Sequence, residues 1–154
     1  MRRLAQASSA LAGSVLLFVL AASSSAQAPQ TVEFRPEASG QINFVMPSQN
    51  IGCVYTPAGG TPLYKPFDGG PELSCDRIEP QYVRVVLTPS SLRRFDNVAD
   101  GGCCGVENVF AYGSRWSNGP FTCESATSGL TCLRADGRGF VISRANIELR
   151  QVCK

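Results

Sequence analysis

Short apolar runs alternate with clusters of turn-forming residues from residue 41 to the end of the chain. The runs are rich in Val, Ile, Phe and Tyr, which favour β-strands, and the clusters between them are rich in Gly, Pro, Asn, Asp and Ser. We therefore predict one all-β domain over residues 41–154, a small antiparallel sheet, sandwich or barrel held by disulfides. The predicted strands are 42–45, 51–55, 73–78, 82–87, 109–112, 121–125, 130–134, 140–143 and 147–149.

Two segments break this pattern. Residues 89–96 offer a helical turn, with Ser90 or Ser91 as its N-cap. Residues 27–40 are expected to be an extended and flexible lead-in to the domain.

The first 26 residues have the pattern of a signal peptide. Arg2 and Arg3 precede a short apolar stretch, and small residues follow it at 23–28. The apolar stretch is shorter than the roughly 20 residues of a membrane-spanning helix. Cleavage after Ala28 would place Pro29 next to the cut, so we favour cleavage after Ala26. The mature protein is then exported to the periplasm or the extracellular space, with no stable membrane anchor.

Charge argues against nucleic acid as a partner. Arg2 and Arg3 are two of the 14 basic residues, so their removal leaves as many basic residues as the 12 acidic ones. A mature chain without net charge has no electrostatic attraction for nucleic acid or anionic lipid.

The seven cysteines all follow the signal segment and indicate a disulfide framework. Cys123 and Cys132 flank a Ser/Gly turn. If Thr127 and Ser128 form a two-residue turn, Cys123 lies directly opposite Cys132, whereas a bulge at Gly129 would shift this register. A zinc site is the weaker interpretation, because the chain has no histidine and no C-x-x-C motif.

The other cysteines divide into one long-loop pair and three remaining thiols. Cys53 and Cys75 enclose a turn-rich loop that a disulfide would restrain. Neighbouring residues on a strand point to opposite faces, so Cys103 and Cys104 are expected to differ, one of them reaching Cys153 and the other remaining buried or bonding another molecule. A bond between the two neighbours, acting as a redox switch, is the alternative.

No residue is predicted to be catalytic, to bind a cofactor or to bind a metal. The absence of histidine excludes Ser-His and Cys-His nucleophile pairs, which leaves carboxylates as the available acids and bases. The candidates in or beside turns are Asp68, Glu72, Asp76, Glu124 and Asp136. The sequence does not show any two of them converging on one site, and ordinary surface carboxylates are the simpler interpretation.

One binding patch can be proposed from residue type. Tyr112, Arg115, Trp116 and Arg138 combine aromatic and Arg side chains, which are enriched at binding sites. In the interpretation that we favour, the aromatic residues fill the core and the Arg side chains pair with carboxylates.

Several segments resemble a family of small exported bacterial proteins that carry a domain of unknown function. The matching pieces are residues 44–53, 75–76, 111–113, 121–123, 129–132 and 139–144. The resemblance implies export and disulfides but no activity, and it implies a further cysteine pair where this chain has the Cys103-Cys104 doublet and Cys153. We therefore expect a non-enzymatic binding or interaction module of the cell envelope, with an envelope protein or a glycan as its partner. A carboxylate-dependent envelope hydrolase is the alternative.

Overall fold

The computed structural model describes residues 28–151. The predicted signal peptide and Cys153 lie outside these residues. The described chain contains strands and no helix, which confirms the all-β prediction. The strands are β1 (Gln30–Thr31), β2 (Ile42–Val45), β3 (Ile51–Thr56), β4 (Glu72–Arg77), β5 (Val83–Leu87), β6 (Leu92–Phe95), β7 (Ser114–Asn118), β8 (Phe121–Ala126), β9 (Gly129–Arg134), β10 (Gly139–Ile142) and β11 (Ile147–Arg150).

The strands form two sheets that follow the chain in order. Strands β2 to β6 make a five-stranded antiparallel sheet in the order β2-β3-β4-β5-β6. Strands β7 to β11 make a second meander, and the short β1 extends it by pairing in parallel with β7. Within each meander every strand pairs with its neighbour in sequence; short turns join most of these antiparallel strands, and the 57–71 segment joins β3 to β4.

One apolar core lies between the two sheets. Alternating residues of each strand point into it, as the period of two along a β-strand requires. Its centre is aromatic: the Phe44 ring lies 5.0 Å from Trp116 and 5.3 Å from Phe110, measured between ring centroids. The cysteines of the two predicted pairs are buried in the same cluster: Cys53, Cys75, Cys123 and Cys132.

Each sheet contains one cross-strand disulfide. Cys53 pairs with Cys75 across β3 and β4, and Cys123 with Cys132 across β8 and β9, each with 4.1 Å between the Cα atoms. Ala126 is opposite Gly129, so the two-residue turn at Thr127 and Ser128 and the register derived from it are confirmed. Both sheets therefore carry the same arrangement of a strand, a cysteine bridge and a returning strand.

The helical turn predicted over residues 89–96 is wrong. Residues 92–95 form the edge strand β6, which pairs with β5. The Thr88 hydroxyl accepts hydrogen bonds from the backbone N–H groups of Ser90 (3.3 Å) and Ser91 (2.9 Å), so a side chain closes a hairpin turn here instead of starting a helix.

Two further differences from the predicted strands concern the start of the second sheet. Residues 109–112 contribute only a single bridge, between Val109 and Val45, and not a strand. Strand β7 was not predicted, because its sequence has one large apolar residue, Trp116, among polar ones.

The lead-in segment is extended, but residues 30–34 are attached to the sandwich. The backbone N–H of Gln30 donates to Gly113 O at 3.0 Å, and that of Val32 donates to Arg115 O at 2.9 Å. The ring of Phe34 stacks on Phe44 with 5.3 Å between centroids. This part of the segment therefore contributes apolar surface to the core.

The cysteine doublet also differs from the expectation that Cys103 and Cys104 have different partners. The sulfur atoms of Cys103 and Cys104 lie within bonding distance of each other. The expectation relied on strand geometry, but residues 96–108 contain no strand, and Cys104 has a φ of 85°. The two side chains are therefore not forced to opposite faces.

Three cysteine pairs at disulfide distance indicate an oxidising, exported environment. Between residues 28 and 151 there is no helix long and apolar enough to cross a bilayer.

Replacing Phe34 by Ala should lower the free energy of unfolding by about 2 kcal/mol, less than for a fully buried phenylalanine. Glu33→Ala is the matched control, because the neighbouring side chain is exposed and should change stability by less than about 0.5 kcal/mol. Urea unfolding of both variants measures the difference. Equal stability of the two would contradict the attachment of this segment.

The paired change Cys53→Ala with Cys75→Ala should lower the free energy of unfolding by about 3 kcal/mol, since the bridge closes a loop across 22 residues of separation. The matched pair Cys123→Ala with Cys132→Ala removes the same buried atoms but a bridge of separation 9, and should cost somewhat less. Denaturant unfolding under oxidising conditions measures both. A larger loss for the second pair would contradict this account.

Candidate functional site

A groove of about 660 Å³ lies on the face of the five-stranded sheet that points away from the core. Its floor consists of the residues that alternate with the core positions. Val54, Ser74 and Val86 lie side by side across β3, β4 and β5. Five adjacent strands give the floor a width of about 19 Å, and the volume is typical of a small-molecule or peptide site.

Two irregular segments form the walls of the groove. Residues 57–71 rise on one side and residues 96–106 on the other. The second segment lies close to the sheet because position 52 is a glycine. A Cβ atom there would be 3.0 Å from both the Cys103 and the Cys104 sulfur, closer than ordinary contact allows.

At one end of the groove Asp76 is fully engaged by neighbouring side chains. Arg84 donates to it through Nε at 2.7 Å and through a terminal nitrogen at 2.9 Å, and the Tyr82 hydroxyl donates at 2.6 Å. The other terminal nitrogen of Arg84 donates to Asp100 at 3.0 Å. Burial raises the pKa of Tyr82, and the hydrogen bond to Asp76 raises it further. This network anchors the 96–106 segment to the sheet.

Asp68 is satisfied in a similar way on the opposite wall. Its carboxylate accepts hydrogen bonds from the hydroxyls of Thr88 and Ser90 and from the Gly70 backbone N–H. The bonds from Ser90 and Thr88 lower the pKa of Asp68. Asp68 therefore joins the 57–71 segment to the turn between β5 and β6.

Glu72 is the exception among the groove carboxylates. Its residue surface is 4% exposed, and within residues 28–151 its carboxylate has one hydrogen bond, from the Tyr64 hydroxyl at 2.8 Å. No cation of the described chain lies within ion-pair distance of it. Burial raises the pKa of Glu72, and burial together with the bond to Glu72 raises the pKa of Tyr64 to about 12.

Large apolar side chains stand exposed at or next to the groove: Tyr64, Phe67 and Phe95 line it, and Leu63 directly precedes Tyr64 in the chain. Leu63 is 90% exposed and Phe67 is 81% exposed, and Tyr64 and Phe95 are partly exposed. The guanidinium of Arg93 lies 4.4 Å above the Phe67 ring centroid, in a cation–π contact. We refer to Leu63, Tyr64, Phe67 and Phe95 as the apolar rim.

The structure does not bring the four residues of the sequence-derived patch together. Trp116 is 2% exposed and lies in the core against Phe44. Arg115 is next to it on β7, points to the opposite face and pairs with Glu124. Tyr112 lines a separate cavity of about 300 Å³, which does not include Arg138.

Glu72 and Asp76 do not form the paired arrangement of a glycosidase. Glu72 and Asp76 are four residues apart on one strand, about 13 Å, whereas glycosidases hold two carboxyl groups at about 5 to 9.5 Å. Asp136 lies in the turn after β9, outside the groove, where the Arg134 guanidinium lowers the pKa of Asp136 to about 2. It is therefore ionised at neutral pH and unsuited to act as a general acid.

Sequence reasoning named the carboxylates at 68, 72 and 76 but missed that they share a groove with Tyr64, Phe67, Arg84 and Arg93. One local signal was present. Glu72, Ser74 and Asp76 alternate with the core residues Leu73 and Cys75, so β4 carries its carboxylates on the face away from the core. The walls of the groove come from residues distant in sequence, which no local pattern indicates.

Comparisons of the chain with protein-family models, with curated proteins and with solved structures found no match. The resemblance to exported bacterial proteins stays a prediction, and the function is inferred from the residues of the groove.

Glu72→Gln should increase stability at neutral pH. Because burial raises the pKa of Glu72 in the folded protein above its unfolded value, ionisation favours the unfolded state. The glutamine keeps the shape and an acceptor for Tyr64 but removes the charge. Its advantage should shrink as the pH falls through the raised pKa, where wild-type Glu72 is protonated.

Urea unfolding between pH 3 and 8 measures this effect. Glu33→Gln, at an exposed position, is the control and should follow the wild type throughout. A Glu72→Gln variant that is less stable than the wild type at pH 7 would show that the ionised carboxylate stabilises the fold.

Proposed function

We propose that this protein is an exported, non-enzymatic binding module of the cell envelope, and that the groove on the five-stranded sheet is its ligand site. The observation that carries the proposal is the apolar rim. Phe67 lines a cavity of ligand size, and Leu63 directly precedes Tyr64, another lining residue; both Leu63 and Phe67 are large and strongly exposed. Exposed apolar side chains grouped around a concave surface are typical of interaction sites.

The rigidity of the groove supports binding. Asp68 and Asp76 each tie one wall to the sheet through several hydrogen bonds. A preformed site loses less conformational entropy when a ligand binds. The walls are thus fixed, and the rim keeps exposed apolar surface that a partner can contact.

The signal-like segment at residues 1–26 and the cysteine pairs together support a periplasmic or extracellular location. Export to that location also agrees with the resemblance to small exported bacterial proteins. An envelope protein or a glycan is then the expected partner.

One observation favours the alternative of a carboxylate-dependent hydrolase. The pKa of Glu72 is raised while that of its neighbour Asp68 is lowered, which is the division between acid and base that glycoside hydrolysis uses. However, Asp68 is held by Thr88, Ser90 and Gly70. The binding module therefore accounts better for the site.

Site-specific photocrosslinking in the intact envelope tests the proposal. A crosslinking side chain at Leu63, on the rim, should yield a defined product that excess unlabelled wild-type protein suppresses. The same side chain at Ala135, exposed on the turn between β9 and β10, should yield none. Phe67→Ala in the competitor should weaken the suppression about tenfold, because an aromatic contact is lost.

Equal products from positions 63 and 135, or competition that is unaffected by Phe67→Ala, would place binding elsewhere. Turnover of envelope glycan that Glu72→Gln abolishes would instead identify a hydrolase.

A further inference from the structure

In the groove one buried carboxyl group, that of Glu72, has no cation within ion-pair distance among residues 28–151. Asp76 and Asp100 share the guanidinium of Arg84, and Asp68 is satisfied by hydroxyl and backbone donors. The carboxylate of Glu72, by contrast, accepts a hydrogen bond only from Tyr64 among the residues that the structure describes. Buried carboxylates are normally paired, because a charge removed from water without a partner is unfavourable.

The groups near Glu72 do not supply a counter-ion for its carboxylate. Tyr64 is a neutral donor, Asp68 is a like charge, and Arg84 acts on Glu72 only at a distance while it holds Asp76 and Asp100. The neighbouring strand β3 places Thr56, which carries no charge, opposite Glu72. The partner that would neutralise Glu72 is therefore not supplied by the described part of the chain.

The groove as a whole is lined by more acidic than basic side chains. Its charged lining residues are four carboxylates and two guanidinium groups: Asp68, Glu72, Asp76, Asp100, Arg84 and Arg93. Arg93 also lacks a carboxylate partner within residues 28–151, but its side chain is exposed and solvated, so its charge requires none. Glu72 is buried and Arg93 is solvated, so the charge of the ligand should match Glu72. Electrostatic complementarity with a carboxylate favours a cation.

The rim indicates what should carry the cation. Phe67 already has a guanidinium over its ring, which shows that a positive group with an apolar stem can lie at this mouth. Tyr64 joins the rim to Glu72 through its hydroxyl. Because Glu72 is only 4% exposed, a slender group such as –CH2–NH3+ suits the approach better than a bulky quaternary ammonium.

We infer that the groove binds a primary amine on a short apolar chain, of the kind found in a lysine side chain or an alkylamine, with its ammonium paired to Glu72 and its chain along the apolar rim. This inference rests on the proposed function and specifies its ligand class. The ammonium donates to the carboxylate oxygen of Glu72 that Tyr64 leaves free, and Phe67 and Tyr64 cover the methylene groups.

Calorimetric titration of the purified, oxidised protein tests the inference with probes of matched length. Hexylamine should bind at least tenfold more tightly than hexanol, which lacks the charge, and hexanoate should not bind. A capped pentapeptide Gly-Leu-Lys-Leu-Gly, compared with its norleucine counterpart, distinguishes a polypeptide source of the amine from a small free amine. Binding of either amine probe supports the inference.

Glu72→Gln should weaken amine binding at least tenfold and leave hexanol binding unchanged. Glu107→Gln is the matched control, because it removes the same charge from an exposed position close to the groove wall and should bind the amine as the wild type does. In the wild type, affinity for the amine should fall as the pH is lowered through the raised pKa of Glu72. Circular dichroism verifies that each variant is folded.

Three results would overturn the inference: hexanol binding as well as hexylamine, unchanged amine binding by Glu72→Gln, or no binding of either amine probe at millimolar concentration. If the crosslink from position 63 persists in those cases, the binding module stands and only its ligand class is wrong. If that crosslink is also absent, both proposals fail.

Discussion

Burial of one apolar face of each sheet against the other is the constraint on which this structure depends. Every long strand contributes alternate residues to that shared core, and the two cross-strand disulfides are buried in it beside the aromatic cluster of Phe44, Phe110 and Trp116. Because a strand that points one set of side chains inward must point the other set outward, the core also decides which residues are left for the outer faces. The groove is a product of this alternation.

The two outer faces of the sandwich are used differently. On the six-stranded sheet, outward residues such as Arg115 and Glu124 pair with each other across neighbouring strands. On the five-stranded sheet, Gly52 lets the cysteine doublet approach the strands closely, and the small side chain of Ser74 leaves space on the groove floor. Two long segments border that space, and a cavity results where the other sheet has an ordinary polar surface.

The carboxylates of the groove differ in whether neighbouring side chains satisfy them. Asp68 and Asp76 are surrounded by donors and hold the walls in place. Glu72 lies between them in the chain, yet burial disfavours its charge, and no cation of residues 28–151 lies within ion-pair distance of it. This combination of an unfavourable buried carboxyl group and exposed aromatic residues beside it is the basis of the proposal that Glu72 takes part in ligand binding.

The sequence by itself determined the features that depend on neighbours along the chain. Alternation located β2 almost to the residue, and a two-residue turn at Thr127 and Ser128 was sufficient to place Cys123 opposite Cys132. It could not identify β7, whose polar residues become a strand only because Trp116 is buried against another sheet. Only the tertiary structure brought Arg84 to Asp100 and the cysteine doublet to Gly52. The physical reason is that a groove is formed by contacts between segments far apart in sequence, whereas periodicity and turn chemistry report only on residues close together.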